Sequence, residues 1–371
     1  YFINTTSNAC TITLPASPEI GDQIVFADYA RTWATNNVII DSNGNNFQGD
    51  PDTFTVDYDT AGQSLNIVYS DATKGWLPVS DDAVANAPVA PVTQKGIFAF
   101  GNTGPLTNIS SLVSSSGVIS ADVTGVGTAR QQCMSASYGG DKAIFAYGTT
   151  GSQTNIRNLV NNSGVVAADA TGAGTAKSQG AGVAYGADKA IIAFGNDGSY
   201  TNTSNLVSNS GVVGSDVTGV GSARGTCAGA GYGVGLAIIG YGYAPSRTAI
   251  TNKISSSGVV ASDTSGVGTV RGGLDCAAYG GDKAIFAYGD PASTNLVSNT
   301  GVVAANVTSV GTYPREGIGA TNYGGDKAIF FAGSGTGVSN LVSNSGVVAA
   351  DVARVGSIRQ NVTGAGYSFN A

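Results

Sequence analysis

The stretch Tyr138-Gly139-Gly140-Asp141-Lys142-Ala143-Ile144-Phe145-Ala146-Tyr147-Gly148 combines a glycine turn with an apolar strand that leaves it. Versions of this strand are spaced by 47 residues four times and then by 44, and their first residues are Lys95, Lys142, Lys189, Leu236, Lys283 and Lys327. Self-similarity at a nearly fixed period is the sequence signature of a repeat architecture. The chain is therefore predicted to contain six copies of one structural unit.

The composition indicates an all-β protein. Of 371 residues, 55 are glycine, 42% are hydrophobic and only 11% are charged. The glycine share is about twice the usual ~7%, and the hydrophobic share is too high for a disordered chain. Short apolar runs between glycine-rich turns are typical of strands joined by tight connections.

Charge and residue usage exclude several classes of function. The net charge is −7 and histidine is absent, so the chain lacks the basic surface that binds nucleic acid and the commonest general base and metal ligand. No apolar run approaches the ~20 residues of a membrane helix. Glu19 and Glu316 are the only glutamates, and no carboxylate pair is placed for glycoside hydrolysis. We expect no enzyme activity, no cofactor, no metal, no nucleic-acid partner and no membrane insertion.

The four cysteines are predicted to be free, buried thiols. Cys133 and Cys227 occupy the same place in copies two apart, which does not favour the short Cα–Cα distance of a disulfide. Free thiols fit assembly in a reducing compartment. The chain begins with Tyr1 rather than methionine, which favours a part of a longer or processed product.

The first part of the chain lacks the repeat. Residues 1–79 are predicted to form a small β domain with strands at 10–14, 23–27, 38–41, 53–57, 65–69 and 75–78. Residues 80–94 are rich in proline and alanine, which predicts an extended, semi-rigid linker. Residues 95–371 contain the repeats.

Each repeat is predicted to hold four antiparallel strands, as in a propeller blade. In the second copy these lie at 132–138, 142–147, 156–160 and 164–168. The first strands consist of small residues, which suits convergence on a central axis. The first copy lacks such a strand and the sequence from Gln360 to Phe369 supplies one, so we predict a six-bladed propeller closed by the C-terminal strand.

Two recurrent charged positions have competing interpretations. Asp141, Asp188, Asp282 and Asp326 could be a ring of ligands, but each lies in a tight turn where aspartate bonds its own backbone. The arginines could surround one opening of the ring or bond carbonyl groups between blades. The arginines of this series are Arg130, Arg224, Arg271 and Arg359.

The loop after the apolar strand differs in every copy, at residues 149–154, 196–203, 243–250, 290–293 and 334–337. These loops are predicted to emerge on one side, and variable loops on a rigid scaffold commonly carry recognition. Tyr200, Tyr243, Arg247 and Tyr313 are the candidate ligand-binding residues, because their planar groups suit stacking on sugars or a protein contact. The alternative is that they are ordinary solvated loop residues.

Residues 20–30, 35–40 and 68–76 resemble a module of virion fibre and tail-fibre proteins of tailed bacteriophages, particularly marine and cyanobacterial ones. The resemblance covers about 60 residues, including Trp76. It implies a connector within an elongated fibre, which in that family is usually trimeric.

The repeats resemble kelch-type propellers in their glycine pair, apolar strand, Thr-Asn-Leu-Val strand and Gly-Thr-Ala-Arg turn. They depart from that family in lacking a tryptophan in each copy. The segment Thr-Asn-Leu-Val-Ser-Asn-Ser-Gly-Val-Val also resembles repeats of phage fibre proteins. Both resemblances imply a kelch-like, all-β virion protein.

We therefore expect a structural protein of a tailed-phage virion, a tail fibre or spike, that presents a propeller face for host attachment. Its partners would be other virion proteins, a host-surface glycan or protein, and further copies of itself, with a trimer implied by the fibre resemblance. It would assemble in the host cytoplasm and act outside the cell. The alternative is a propeller lectin or adhesin of a bacterial surface.

Overall fold

The computed structural model describes residues 1–81, 94–353 and 356–368. Every regular element in these ranges is a β-strand, so the all-β prediction is confirmed. The chain divides into two compact units, Tyr1–Pro91 and Val92–Ala371. Most of the predicted linker, residues 82–93, lies outside the described residues. Within the described ranges, no helix is long and apolar enough to cross a bilayer.

The first unit contains two small sheets, with strand orders β1-β3-β6-β7 and β2-β4-β5. Its strands are β1 (Phe2–Ile3), β2 (Cys10–Thr13), β3 (Gln23–Asp28), β4 (Val38–Asp41), β5 (Val56–Tyr58), β6 (Ser64–Asp71) and β7 (Gly75–Asp81). The fully buried Trp33 and Trp76 belong to its core. The strand predicted at 53–57 is displaced to β5, whose alternating Val56 and Tyr58 are the residues that face the core.

The second unit contains six separate antiparallel sheets, one for each repeat. The sheets are β27-β8-β9, β10-β11-β12-β13, β14-β15-β16, β17-β18-β19, β20-β21-β22 and β23-β24-β25-β26. Their strands are β8 (Lys95–Ala99), β9 (Ser110–Val113), β10 (Met134–Tyr138), β11 (Lys142–Ala146), β12 (Ile156–Val160), β13 (Ala170–Thr171), β14 (Ala181–Tyr185), β15 (Lys189–Asn196), β16 (Tyr200–Val207), β17 (Ala228–Tyr232), β18 (Leu236–Gly240), β19 (Thr251–Ile254), β20 (Asp275–Tyr279), β21 (Lys283–Tyr288), β22 (Ser293–Val297), β23 (Gly319–Tyr323), β24 (Lys327–Phe331), β25 (Val338–Val342), β26 (Val352–Ala353) and β27 (Thr363–Tyr367).

After its first residue, which is lysine in five sheets, the second strand of each sheet has an apolar, buried run because both of its faces are covered by neighbouring sheets. In β11, Ile144 packs with Ile192 of the next sheet, whereas Phe145 packs with Ile97 of the preceding one. Both Ile144 and Phe145 are fully buried. The six first residues predicted for these strands are the observed ones.

The prediction of four regular strands per repeat is wrong for most copies. Among the described residues only β13 and β26 form a fourth strand, each of two residues, and elsewhere the outer segment makes isolated bridges. In the third repeat the buried Asn205 Nδ2 donates to Gly214 O (3.1 Å) and Asp216 Oδ1 (2.8 Å). The outer segment bulges around this side chain, and the register shifts between the bridges of Ser204 and Val207.

The first strands contact one another in a cyclic order, β10, β14, β17, β20, β23, β27 and back to β10. The C-terminal strand β27 pairs antiparallel with β8, so that Thr363 faces Ala99 and Tyr367 faces Lys95. The predicted pairing of the chain's last strand with the first repeat is confirmed.

One buried cation joins each pair of sequential sheets. The Arg130 guanidinium carbon lies 3.9 Å from the centre of the Phe100 ring in one sheet, and Arg130 Nε donates to Tyr147 O (2.8 Å) in the next. The prediction that this series bonds backbone carbonyl groups is confirmed, but those carbonyl groups lie in the sheet of the same repeat, and the contact with the preceding repeat is to an aromatic ring. The placement around an opening is wrong because the side chains are fully buried. The complete series is Arg130, Lys177, Arg224, Arg271, Arg315 and Arg359.

A second link joins a hydroxyl residue of one repeat to a carboxylate or amide of the next. Thr128 Oγ1 donates to Asp169 Oδ2 (2.6 Å), and Ser357 Oγ donates to Asp122 Oδ2 (2.6 Å) between the last and first repeats. Partial burial would raise the pKa of Asp169, but the hydrogen bonds from Thr128 and Asn158 outweigh it, so this pKa is lowered. The carboxylates of this link therefore stay ionised at neutral pH.

Candidate binding site at the rim

Six residues, one located two positions before each first strand, form a rim in the second unit. Gln179 N donates to Gln132 O (3.2 Å), Thr226 N to Gln179 O (2.7 Å), and three further neighbouring pairs make the equivalent bond. All six have left-handed φ angles, the backbone conformation in which these bonds form. The rim residues are Gln132, Gln179, Thr226, Gly273, Gly317 and Asn361.

The rim is asymmetric because two of its members have no side chain. Gly273 and Gly317 are neighbours, and beside them lies a cavity of about 300 Å³. Its wall includes the side chains of Tyr243, Arg247 and Glu316. All six rim residues line this cavity, and the two glycines leave one stretch of its wall without side chains.

A short hairpin loop places two of the predicted binding residues at this cavity. Tyr243 and Arg247 form a β-bridge with one another, and Tyr243 exchanges both backbone hydrogen bonds with Gly225 (2.8 and 3.0 Å). The Arg247 guanidinium pairs with the Asp290 carboxylate in the loop of the next repeat. Two variable loops are thus tied together at the rim.

The structure brings three of the four predicted residues together. The rings of Tyr200 and Tyr243 lie 6.2 Å apart at 42°, and Tyr243 is 39% exposed. Tyr200 covers Gly225, where a Cβ would be 2.9 Å from its ring. Tyr313 is 59% exposed but does not line the cavity, so it is separate from this group.

Sequence reasoning did not identify three polar residues of the cavity wall, namely Thr226, Asp275 and Glu316. Glu316 had one available signal, since it is one of two glutamates in the chain. Asp275 stands in a first strand where the other copies have Met134, Ala181, Ala228, Gly319 and Thr363. A single charged residue at a strand position where the other repeats have uncharged residues was the sequence signal that could have identified Asp275.

Burial shapes the ionisation of these groups. Burial raises the pKa of Asp275 to about 7, although Cys276 N (2.8 Å) and Ala320 N (2.6 Å) donate to its carboxylate. Partial burial and the Asp290 charge also raise the pKa of Glu316, against the opposing effect of Arg247. The cavity wall thus carries two carboxyl groups and one arginine that is already paired.

The cysteines are free, as predicted. Cys133, Cys227 and Cys276 are buried and Cys10 is half-buried. Burial raises the pKa of Cys133 to about 11, so this thiol is protonated at neutral pH and a poor nucleophile.

A second cavity, of about 440 Å³, lies between the six first strands. Its wall is built mainly from small residues, and Ser135 and Ser137 of β10 donate to Gly364 O (2.8 Å) and Gly366 O (2.7 Å) of the adjacent strand β27. In the described part of the chain, no group of three or more acidic, cysteine or histidine residues is placed to hold a metal ion. Asp141, Asp282 and Asp326 of the recurrent turns pair with the lysine that follows them, and Asp188 accepts a hydrogen bond from Asn209 Nδ2 (3.0 Å).

Comparison with known proteins does not assign this chain to a family. No protein-family model matches its sequence, and no curated protein matches it.

Proposed function

We propose that the repeats form a six-bladed, kelch-like β-propeller closed by β27, with residues 80–94 linking it to the small β domain at 1–79. The cyclic order of contacts between first strands supports this architecture. So do the bonds between the last and first repeats, because Arg359 lies over Phe331 and donates to Ile109 O (2.9 Å). The link through the buried cation and the link from a hydroxyl to a carboxylate both recur at this junction, as expected of a closed circle of blades.

We further propose that the chain is a structural virion protein of a tailed phage, a tail fibre or spike whose rim contacts the host surface. The resemblance of residues 20–30, 35–40 and 68–76 to fibre modules supports the virion assignment. Host attachment is supported by one structural observation. The variable loop 243–250 lines a cavity with an exposed tyrosine and a paired arginine, Tyr243 and Arg247, and it contacts two further variable loops through Tyr200 and Asp290.

A cell-binding assay tests the attachment role. The labelled chain is incubated with a panel of marine bacteria and cyanobacteria, and bound protein is measured by flow cytometry. We expect saturable binding to a subset of strains and at least a tenfold loss with Tyr243→Ala, because aromatic anchors dominate recognition surfaces. Tyr29→Ala is the matched control, since Tyr29 is 68% exposed but lies in the first unit.

Two results would contradict the proposed attachment role. One is the absence of binding to every strain; the other is equal binding by wild type and Tyr243→Ala. Either would leave the chain an architectural part of the virion. The proposed trimer is checked separately by light scattering, which should give three times the chain mass of 36.8 kDa.

A further inference from the structure

We propose that the open side of the rim, between Thr226 and Glu316, binds a saccharide that carries a protonated amine. This inference rests on the proposed role of the rim in recognition and specifies the class of ligand. The site consists of the cavity beside Gly273 and Gly317 with the side chains of Tyr243, Thr226 and Glu316.

The shape of the site comes from the two glycines. The Glu316 side chain lies over Gly273, where a Cβ would be 3.0 Å from Glu316 Cβ and 3.3 Å from its Oε1. The equivalent positions in other repeats hold Gln132 and Gln179, whose backbones adopt the same left-handed φ. This backbone conformation therefore carries side chains in other repeats, whereas at Gly273 the Glu316 side chain occupies part of that space. The 300 Å³ cavity is at the small end of the range for ligand pockets.

The charge of the site favours a cation over an anion. Arg247 is neutralised by Asp290, and the Asp275 oxygens already accept two backbone N–H groups. Among the described residues, the Glu316 carboxylate has neither an ion-pair partner nor a hydrogen bond, and its side chain is exposed. An ammonium group would supply the missing partner and form a charge-assisted hydrogen bond.

The remaining wall suits hydroxyl groups and a sugar ring. Thr226 Oγ1 is buried and has no hydrogen-bond partner within the described structure, although it lines the cavity. A buried hydroxyl without a partner is costly, and a ligand hydroxyl can satisfy it. The Gln132 and Gln179 amides also line the cavity, and the Tyr243 ring offers an apolar face for the C–H side of a pyranose.

The test compares two ligands that differ only in the amine. Binding of the full chain to a β-1,4-linked glucosamine tetramer and to its N-acetylated counterpart is measured by isothermal titration calorimetry at pH 6, where the amines are protonated. We expect the amine-bearing tetramer to bind at least tenfold more tightly. Glu316→Gln should abolish this preference while leaving the residual affinity for the acetylated tetramer. Glu19→Gln, the only other glutamate, is the control and should behave as wild type.

A second variant tests the cavity itself, without removing a charged group. Gly273→Gln restores the side chain found at Gln132 and Gln179 and should remove binding of both tetramers, while circular dichroism shows that the variant remains folded at the assay temperature. Equal affinity for the two tetramers, no binding of either, or a preference that survives Glu316→Gln would overturn the inference. If wild type nevertheless binds cells in a Tyr243-dependent way, the attachment role stands and only the ligand class is wrong.

Discussion

The buried cation between sequential sheets is arginine in five repeats and lysine in one. Lys177 occupies the position that arginine holds in the other five repeats, and its burial lowers its pKa to about 8. It donates to Thr203 O (3.2 Å), whereas Arg130 donates to three carbonyl groups, those of Tyr147 (2.8 Å), Thr128 (3.2 Å) and Phe145 (3.4 Å). Because arginine has five donors in a fixed planar arrangement, it satisfies several carbonyl groups at once. The recurrence of arginine could be predicted from the sequence. Its burial could not, because the aromatic ring that covers each cation belongs to the neighbouring repeat and reaches it only after folding.

Asp275 gives a prediction at the residue scale. Its folded-state pKa of about 7 exceeds the unfolded value of about 3.9, so the folded state binds more protons between these values. Its contribution to stability therefore falls as the pH rises through this window. Asp275→Asn keeps an acceptor oxygen and removes the charge. We expect a melting temperature higher by about 2–4 °C at pH 8, which corresponds to about 1 kcal/mol, and little change at pH 4.5.

Differential scanning calorimetry of both proteins at the two pH values measures this difference. Asp22→Asn, at an exposed position in the first unit, is the control and should not reproduce the pH-dependent gain. A lower melting temperature for Asp275→Asn at pH 8, or the same shift at both values, would show that the carboxylate is not destabilised by burial.

At the scale of strands and turns, one contact recurs between sheets. The tyrosine that ends a first strand packs against the glycine of a Ser-x-Ser-Gly turn in the next sheet, as Tyr138 does against Gly211. Tyr323 makes the same contact with Gly117 between the last and first repeats. The sequence predicted the glycine turns and the positions of the second strands because both are local. It did not predict the bulged outer segments, because these follow the side chain of a buried asparagine such as Asn205.

Gly117→Ala tests this contact. A Cβ at Gly117 would be 2.7 Å from Tyr323 Cζ, and the residue has φ of +83°. We expect destabilisation by about 2–4 kcal/mol, the sum of left-handed strain and displacement of a packed aromatic ring. The control is Gly140→Ala, because Gly140 has φ of +79° and no atom within 4 Å of the added Cβ. Urea denaturation should give a loss for Gly140→Ala that is at least 1 kcal/mol smaller. Equal losses would mean that strain alone explains the effect.

For the whole molecule, the periodicity predicted more than any single residue did. Six repeats, the absence of a first strand in the first copy and a spare strand at the end together predicted the pairing of β27 with β8. The candidate site was predicted only in part. Tyr200, Tyr243 and Arg247 were predicted from the variability of their loops. The part of the rim without side chains, at Gly273 and Gly317, could not be predicted, because it depends on which residues become neighbours after folding. Glycines are so common in this chain that these two carried no signal of their own.

The pairing of β27 with β8 is the contact on which the proposed propeller depends, and hydrogen exchange measures it directly. The comparison is between the intact chain and a chain that ends at Val362. In the intact chain, the amides of β8 and β27 should exchange as slowly as those of β11 and β10, which form the same pair in the next sheet. In the shortened chain, the β8 amides that face β27 should exchange at least tenfold faster. Fast exchange of residues 363–367 in the intact chain, or unchanged protection of β8 after truncation, would contradict closure by the C-terminal strand.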